Sequence, residues 1–301
     1  MKTQFRRSCE TTLVRWLAAT LLLSLMLVMS PSPARSGRSS DPLLEVASLA
    51  PAIPPPVPER FRVVSYNLHG PLAERIDDVM DVLKNHEALQ PASLLALQEV
   101  NRHHRYSGYK DMAREIARAL QMHYAYAVEN PYKDGGGERG LAILSRFPLS
   151  QVERVVLPHP GPSGRRRITL GATLHVGSER WRVYTLHLET RISVNERAHQ
   201  ITAVLDHANQ YRDLPTVILG DFNTISDGAR EKMFELMQAA DFRPALPGDT
   251  MTFQRALIVR LKLDWIWVRQ LSVVEARVEG DVKASDHRPV WADFHLRKQS
   301  E

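Results

Sequence analysis

From Phe61 onward, short β-branched runs alternate with stretches of helical spacing, a pattern that admits few folds. The runs are Val63–Tyr66, Leu94–Leu97, Leu141–Leu144, Ile168–Leu174, Arg182–Leu186, Thr216–Leu219, Leu263–Val268 and Val290–Phe294. Their length and branching suit buried strands. Between them, Ile76, Val79, Met80 and Leu83 form a helical stripe; so do Met112, Ile116 and Leu120, and also Ile201, Val204, Leu205 and Ala208. Phe234, Leu236 and Met237 mark a shorter helix, and Pro91 and Pro148 punctuate the connections. One α/β domain with one or two central sheets follows. Patterning alone leaves the strand order open.

Several runs stop at residues able to do chemistry. Val63–Tyr66 ends in Asn67, Leu94–Leu97 in Gln98-Glu99, and Val183–Leu186 in His187. Thr216–Leu219 ends in Gly220-Asp221-Phe222-Asn223, and a later cluster reads Ser285-Asp286-His287-Arg288-Pro289, with Asp264 between the two. Strand ends on one edge of a sheet converge, so these side chains can share a cleft. Each motif alone also reads as a plain turn, since Asn and Asp commonly bond nearby backbone after a strand. Their joint occurrence, in order and at strand ends, is the strong signal. Hard oxygen ligands hold a divalent cation and a carboxylate-paired imidazole moves protons, the parts of a metal-assisted phosphoester hydrolase.

The N-terminus reads differently. Lys2, Arg6 and Arg7 precede an apolar stretch from Trp16 to Met29, then Ser32-Pro33-Ala34, a small-residue cleavage pattern. Residues 1–34 are expected to be a secretory signal peptide, with an N-terminal membrane anchor as the alternative; the stretch is shorter than the roughly 20 residues of a spanning helix. The expected location is periplasmic or extracellular. Cys9, the one cysteine, precedes the apolar core, so a cleaved chain has no disulfide and relies on its hydrophobic core. Residues 35–60, rich in Ser, Pro and Ala, are expected to be an extended or disordered linker, leaving 61–298 as the domain. The formal charge of +5 is mostly leader: Lys2, Arg6, Arg7 and Arg15 against Glu10 hold +3 of it, so residues 35–301 carry +2. Bulk electrostatics therefore do not select a polyanion.

The order Tyr66-Asn67, Gln98-Glu99, Gly140-to-Arg146 (GLAILSR), Thr185-to-Leu188 (TLHL), Gly220-to-Asn223, Asp264 and Ser285-to-His287 resembles the endonuclease/exonuclease/phosphatase superfamily. That group includes deoxyribonuclease I, abasic-site endonucleases, neutral sphingomyelinases and inositol-polyphosphate 5-phosphatases. The resemblance spans about residues 61 to 296 and implies a deoxyribonuclease I-like four-layer α/β sandwich, two packed mixed β-sheets flanked by helices. It assigns Glu99 as the main metal carboxylate, with Asn67 and Asp286 in or beside the metal shell. Asp221 and Asn223 would orient or deprotonate the attacking water and hold phosphoryl oxygens. His287, oriented by Asp264, would handle the water proton or stabilise the phosphorane. His187 matches the second histidine of the deoxyribonuclease and sphingomyelinase branches, and Glu138 falls where deoxyribonuclease I has the acid that pairs with it. A solvated loop carboxylate is the alternative for Glu138. Arg167, or else Arg166, would contact the phosphate, with a solvated turn as the alternative for Arg165–Arg167.

The implied cofactor is Mg²⁺, with Mn²⁺ able to substitute; zinc is disfavoured by the lack of a cysteine or histidine cluster. The implied substrate is a phosphoester, most simply a diester, in either a nucleic acid or a phospholipid head group. His103-His104-Arg105 and Arg165–Arg167 are candidate contacts to a phosphate backbone. Met251, Phe253, Leu257, Ile258 and Val259 read as core leading into the Asp264 strand, with a lipid- or partner-facing loop as the alternative. A non-catalytic binding module is the reading from another class, and it sits poorly with Glu99 and His287 both being present. No obligate protein partner is expected, and the chain reads as a monomer.

Overall fold

The computed structural model describes residues 41–69, 76–132, 136–246, 248–255 and 258–296. The leader, the export expectation that rests on it, and Leu257 lie outside the described residues. All elements below belong to one unit, Arg38–Glu301.

Two sheets carry the fold. The first has seven strands in the order β1 (Leu44–Ser48), β4 (His123–Pro131), β5 (Glu138–Ser145), β3 (Leu94–Arg102), β2 (Arg60–Asn67), β15 (Val290–His295) and β14 (Val273–Val278). The second has six, in the order β10 (Arg243–Pro244), β13 (Asp264–Arg269), β9 (Thr216–Asp221), β8 (Glu179–His187), β7 (Ile168–Val176) and β6 (Leu149–Val156). Both are mixed: β2 with β3, and β8 with β9, run parallel in otherwise antiparallel sheets. A small hairpin pairs β11 (Phe253–Arg255) with β12 (Val259–Leu261).

Three apolar clusters define the layers. Val63, Leu94, Ala96 and Ile143 of one sheet meet Leu170, Val183, Val217 and Ile266 of the other in the central layer. Each fully buried aliphatic there contributes roughly 1.5–3 kcal/mol. The outer face of the first sheet takes helices α1 (Ile76–Asn85) and α2 (Met112–Leu120), which bury Ile76, Val79, Leu83, Met112 and Ile116. Helices α3 (Val194–Asn209) and α4 (Asp227–Ala239) bury Ile201, Val204, Leu205, Met233 and Met237 against the second sheet. The result is the expected four-layer sandwich. Because both sheets are covered on both faces, their strands read as continuous apolar runs rather than alternating ones.

Two readings of the sequence are corrected. Leu44–Ser48, inside the segment read as a linker, is an edge strand aligned from Leu44↔Ala127 to Ser48↔His123. The apolar residues before Asp264 are not core: Met251, Ile258 and Val259 are exposed, Ile258 at 88%, on or beside the small hairpin. Phe253 is half-buried against the His287 ring. Among the described residues no helix is long and apolar enough to cross a membrane.

Candidate active site

Register delivers the site. In the second sheet His187, Asp221 and Asp264 are direct cross-strand partners at the ends of β8, β9 and β13. In the first sheet Asn67 pairs with Gln98 at the ends of β2 and β3. Gln98 Nε2 donates to Thr185 Oγ1 at 2.9 Å and Asn67 Nδ2 to Asp221 Oδ2 at 3.0 Å, tying the two sheets together at this edge.

Local backbone irregularities aim the side chains. β3 bulges between Leu97 and Val100, and Glu99 sits in that bulge at φ +56°. A bulge re-aims a side chain that a regular ladder would direct elsewhere. Asn223 is also left-handed, at φ +50°, and its backbone N–H donates to Asp221 Oδ1 at 2.9 Å. Gly220 has φ +141°, and a Cβ there would lie 2.2 Å from Leu186 O, so only glycine lets β9 approach β8 this closely.

Asp221 Oδ2 is the hub. Besides Asn67 Nδ2, it has His187 Nε2 at 3.5 Å and His287 Nε2 at 3.8 Å. His187 Nε2 in turn lies 3.9 Å from Glu99 Oε1. On its far side His287 Nδ1 bonds Asp264 Oδ2 at 2.8 Å. Asp264 is fixed by its backbone N–H donating to Thr252 Oγ1 at 2.9 Å. Ser285 Oγ donates to Asn67 O at 2.8 Å and accepts the His287 N–H at 3.1 Å, so the Ser-Asp-His turn is pinned to β2.

Electrostatics follow from burial and neighbours. Burial pushes Asp221 up, and Asp264 adds to it; the positive field of His287 and the hydrogen bonds from Asn223 and Asn67 oppose the rise and leave it at about 7. Burial pulls His287 down, but the charge and hydrogen bond of Asp264, with Asp221 and Asp286 beyond, overcome it and push it up to about 10. His187 goes the other way. Burial and the Arg167 guanidinium hold it well below the usual histidine range.

Two expected roles change. Glu138 does not meet His187. It is the cross-strand partner of Arg102, and its carboxylate is taken by that guanidinium. Strand alternation sends the next residue, Arg139, to the other face, where Nη1 donates to Glu99 Oε2 at 2.8 Å. Arg167 is not an open phosphate contact either. It is buried, with Nε on Glu189 Oε2, Nη1 on Glu129 Oε1 and Nη1 against His187 Nδ1, each at 3.0 Å. Glu129 also faces Arg139 Nε at 3.6 Å. Glu129, Arg139, Glu189 and Thr252 were absent from the sequence-derived site. Their only local signal was charge or a hydroxyl beside an apolar run.

The backbone-contact reading of His103-His104-Arg105 is also reduced. His104 is buried and stacks on Tyr132 at 3.8 Å.

The residues that the resemblance gives to the metal are two carboxylates and an amide carbonyl: Glu99, Asp286 and Asn67. Such hard oxygen donors fit Mg²⁺ or Mn²⁺, which keep much of their water and use few protein ligands. Asn67 Oδ1 accepts the His69 N–H at 2.9 Å, and Asp286 Oδ1 lies 3.2 Å from His69 Nδ1, so both are positioned from one loop. A tighter group, Asp221, Asp264 and His287, has ligand atoms within 4.8 Å of one another. A cation there would have to displace the proton that Asp264 and His287 share, so the Glu99 side fits better.

Solved structures similar to this one share its architecture at low identity. The D. rerio TDP2 complexed with single-strand DNA product has TM-score 0.61 at 18% identity, over 79% of this chain and 100% of that one. The human Nocturnin catalytic domain with bound sulfate has 0.62 at 19%, over 83% and 97%. ANGEL2, a 2',3'-cyclic phosphatase in complex with adenosine-2',3'-vanadate, has 0.63 at 15%, over 79% and 96%. At these identities they speak for the fold alone. No individually curated protein sequence matches the chain. The sequence model described as the Endonuclease/Exonuclease/phosphatase family matches residues 64–287, which takes in every strand-end residue of the site from Asn67 to His287. This chain belongs to that family of phosphoester hydrolases.

Proposed function

We propose that this chain is an exported, Mg²⁺-dependent hydrolase of phosphodiesters. The observation that carries the catalytic part is the convergence on Asp221 Oδ2 of Asn67, His187 and His287 at 3.0, 3.5 and 3.8 Å, with Glu99 beside them. Export rests on the sequence of residues 1–34.

Phosphodiesters resist hydrolysis because their anionic oxygens repel a nucleophile. Mg²⁺, held by Glu99 with Asn67 and Asp286, would neutralise that charge and stabilise the oxyanion that develops. The chain's own residues divide the proton work. His287, pushed up to about 10, stays an imidazolium at neutral pH and suits stabilising the phosphorane or protonating the leaving oxygen. Asp221, raised to about 7, is poised to take the proton of the attacking water. Asn223 donates one amide hydrogen to Leu188 O at 2.8 Å and has a second for a phosphoryl oxygen.

A second substrate class has an observation of its own. The exposed Met251, Ile258 and Val259 lie on or beside the hairpin whose Phe253 packs on His287, so an apolar surface adjoins the catalytic histidine. That placement favours a phospholipid head group such as a sphingolipid or phosphoinositide, and the charge of +2 outside the leader does not favour a polyanion. The neighbours' own ligands, a DNA product and an adenosine vanadate, point towards nucleotides.

The test is an activity panel with Mg²⁺ on bis-p-nitrophenyl phosphate, plasmid DNA, RNA, sphingomyelin and phosphatidylinositol phosphates. Hydrolysis of the small diester and of one natural class is expected. Inactivity of the folded protein on all of them, with Mg²⁺ or Mn²⁺, would overturn the catalytic reading. N-terminal sequencing of the secreted protein tests export.

A further inference from the structure

The residue behind His187 has chemistry unlike that behind His287. A guanidinium has five N–H donors, no acceptor, and does not deprotonate in proteins. Arg167 Nη1 lies 3.0 Å from His187 Nδ1, with both side chains buried. A hydrogen on Nδ1 would set two donors against each other inside the protein. Nδ1 therefore carries the lone pair, and the ring proton sits on Nε2.

The guanidinium cannot rotate away from this contact. Glu189, just beyond β8, holds its Nε at 3.0 Å, and Glu129 from β4 holds Nη1 at 3.0 Å. Each of the two hydrogens on Nη1 has a target, one on Glu129 Oε1 and one on His187 Nδ1. Glu129 continues to Arg139, and Arg139 to Glu99, so a circuit of buried and half-buried side chains runs from His187 back to the carboxylate 3.9 Å from its Nε2. Glu189 is itself anchored, its Oε1 accepting the Arg191 N–H at 3.1 Å.

We infer that Arg167 is a positioning residue: clamped by Glu129 and Glu189, it holds His187 in the tautomer with its proton on Nε2, making that imidazole a fixed hydrogen-bond donor to the reacting phosphoryl group. The phosphoryl part rests on the proposed function; the tautomer does not. Nε2 lies 3.5 Å from Asp221 Oδ2 and 3.9 Å from Glu99 Oε1, among the residues proposed to act on the phosphoryl group. A donor set in place before the reaction requires no reorganisation during it.

The direct readout is the protonation of each His187 ring nitrogen by ¹⁵N NMR on the labelled full-length protein at neutral pH. Nδ1 should read as an unprotonated acceptor and Nε2 as protonated. A protonated Nδ1 in the wild type overturns the inference with no variant needed. Arg167→Met paired with Glu189→Gln removes one buried cation and one buried anion together. In that variant the His187 tautomers should mix, and kcat on bis-p-nitrophenyl phosphate should fall roughly 10²-fold with KM little changed, the scale of a misplaced catalytic group. Arg167→Lys, which keeps a donor, should restore part of the loss. A folded variant with an unchanged His187 tautomer, or a changed tautomer with unchanged kcat, overturns the inference. A wild type with the expected tautomer but no phosphodiesterase activity refutes the proposed function and leaves the Arg167 lock standing.

Discussion

The two histidines flanking Asp221 lie 3.5 and 3.8 Å from the same carboxylate oxygen, yet their surroundings are opposites. A carboxylate stands behind His287 at 2.8 Å, and a guanidinium stands behind His187 at 3.0 Å. The first pushes its imidazole towards a stable cation; the second helps hold its imidazole neutral. Residue type therefore does not assign the role. The atom behind the ring does, and one site gains both a proton carrier and a plain donor from the same side chain.

The largest effect should come where both corners fail together. Exhaustive chelation should abolish turnover, with Mg²⁺ restoring it, and Glu99→Ala should weaken the Mg²⁺ titration and the rate together. Activity that survives EDTA would remove the metal from the scheme. Next, His287→Ala should cost about 10²–10⁴-fold in kcat on bis-p-nitrophenyl phosphate, as loss of a proton-transfer group does. His187→Ala, which loses a donor alone, should sit near the lower end, about 10²-fold. If the two variants lose equally and give the same pH–rate profile, the contrast between the corners is wrong.

Asp264→Asn should cost less than His287→Ala, and the double variant should be no worse than His287→Ala, because the pair acts as a unit. Multiplicative losses would make Asp264 a structural residue at a strand end. The smallest effect is on stability. His287 is raised from 6.5 to about 10, so its contribution is complete below 6.5 and fades as pH rises to about 10. Asp221, raised from 3.8 to about 7, loses its contribution over the lower window and adds nothing above it. The metal-free wild type should therefore keep losing melting temperature from pH 7 to about 10, and Asp264→Asn should flatten that slope. An equal slope in both would show that Asp264 does not set the His287 charge.

The contrast also marks what could be read from the chain. Asp221 and Asn223 were legible because they close an apolar run, and Asp264 and His287 because they stand at or just before the start of one; strand ends meet at a sheet edge whichever way the sheets stack. One α/β domain was legible from the alternation of runs and stripes; its four layers came from the family resemblance, and the strand order was not legible in the pattern. Glu138 was misplaced because the bulge at Glu99 and the period of two in β5 decide which of Glu138 and Arg139 faces the cleft. Arg167 was taken for a phosphate contact because its three partners, Glu129, His187 and Glu189, come from β4, from the end of β8 and from beyond it. Nothing local to Arg165–Arg167 shows that three acceptors wait across the sheet. The exposed hairpin was read as core because Met251, Ile258 and Val259 are apolar, and apolar content does not distinguish a buried strand from an exposed surface.

The edge strand Leu44–Ser48 has a practical consequence for anyone producing this protein. It covers the backbone of β4 along five aligned pairs, and Glu45 carries its carboxylate to Arg102 at 2.6 Å and to the Tyr124 hydroxyl. An expression boundary drawn at Phe61, where the Pro-rich stretch ends, would leave β4 as a bare edge with unpaired amides and carbonyls. Bare edges recruit strands from other molecules, so that shortened form should come out as soluble aggregate or inclusion bodies. A leader removed after Ala34 leaves the cover strand intact, and Asp41 is the sensible place to begin.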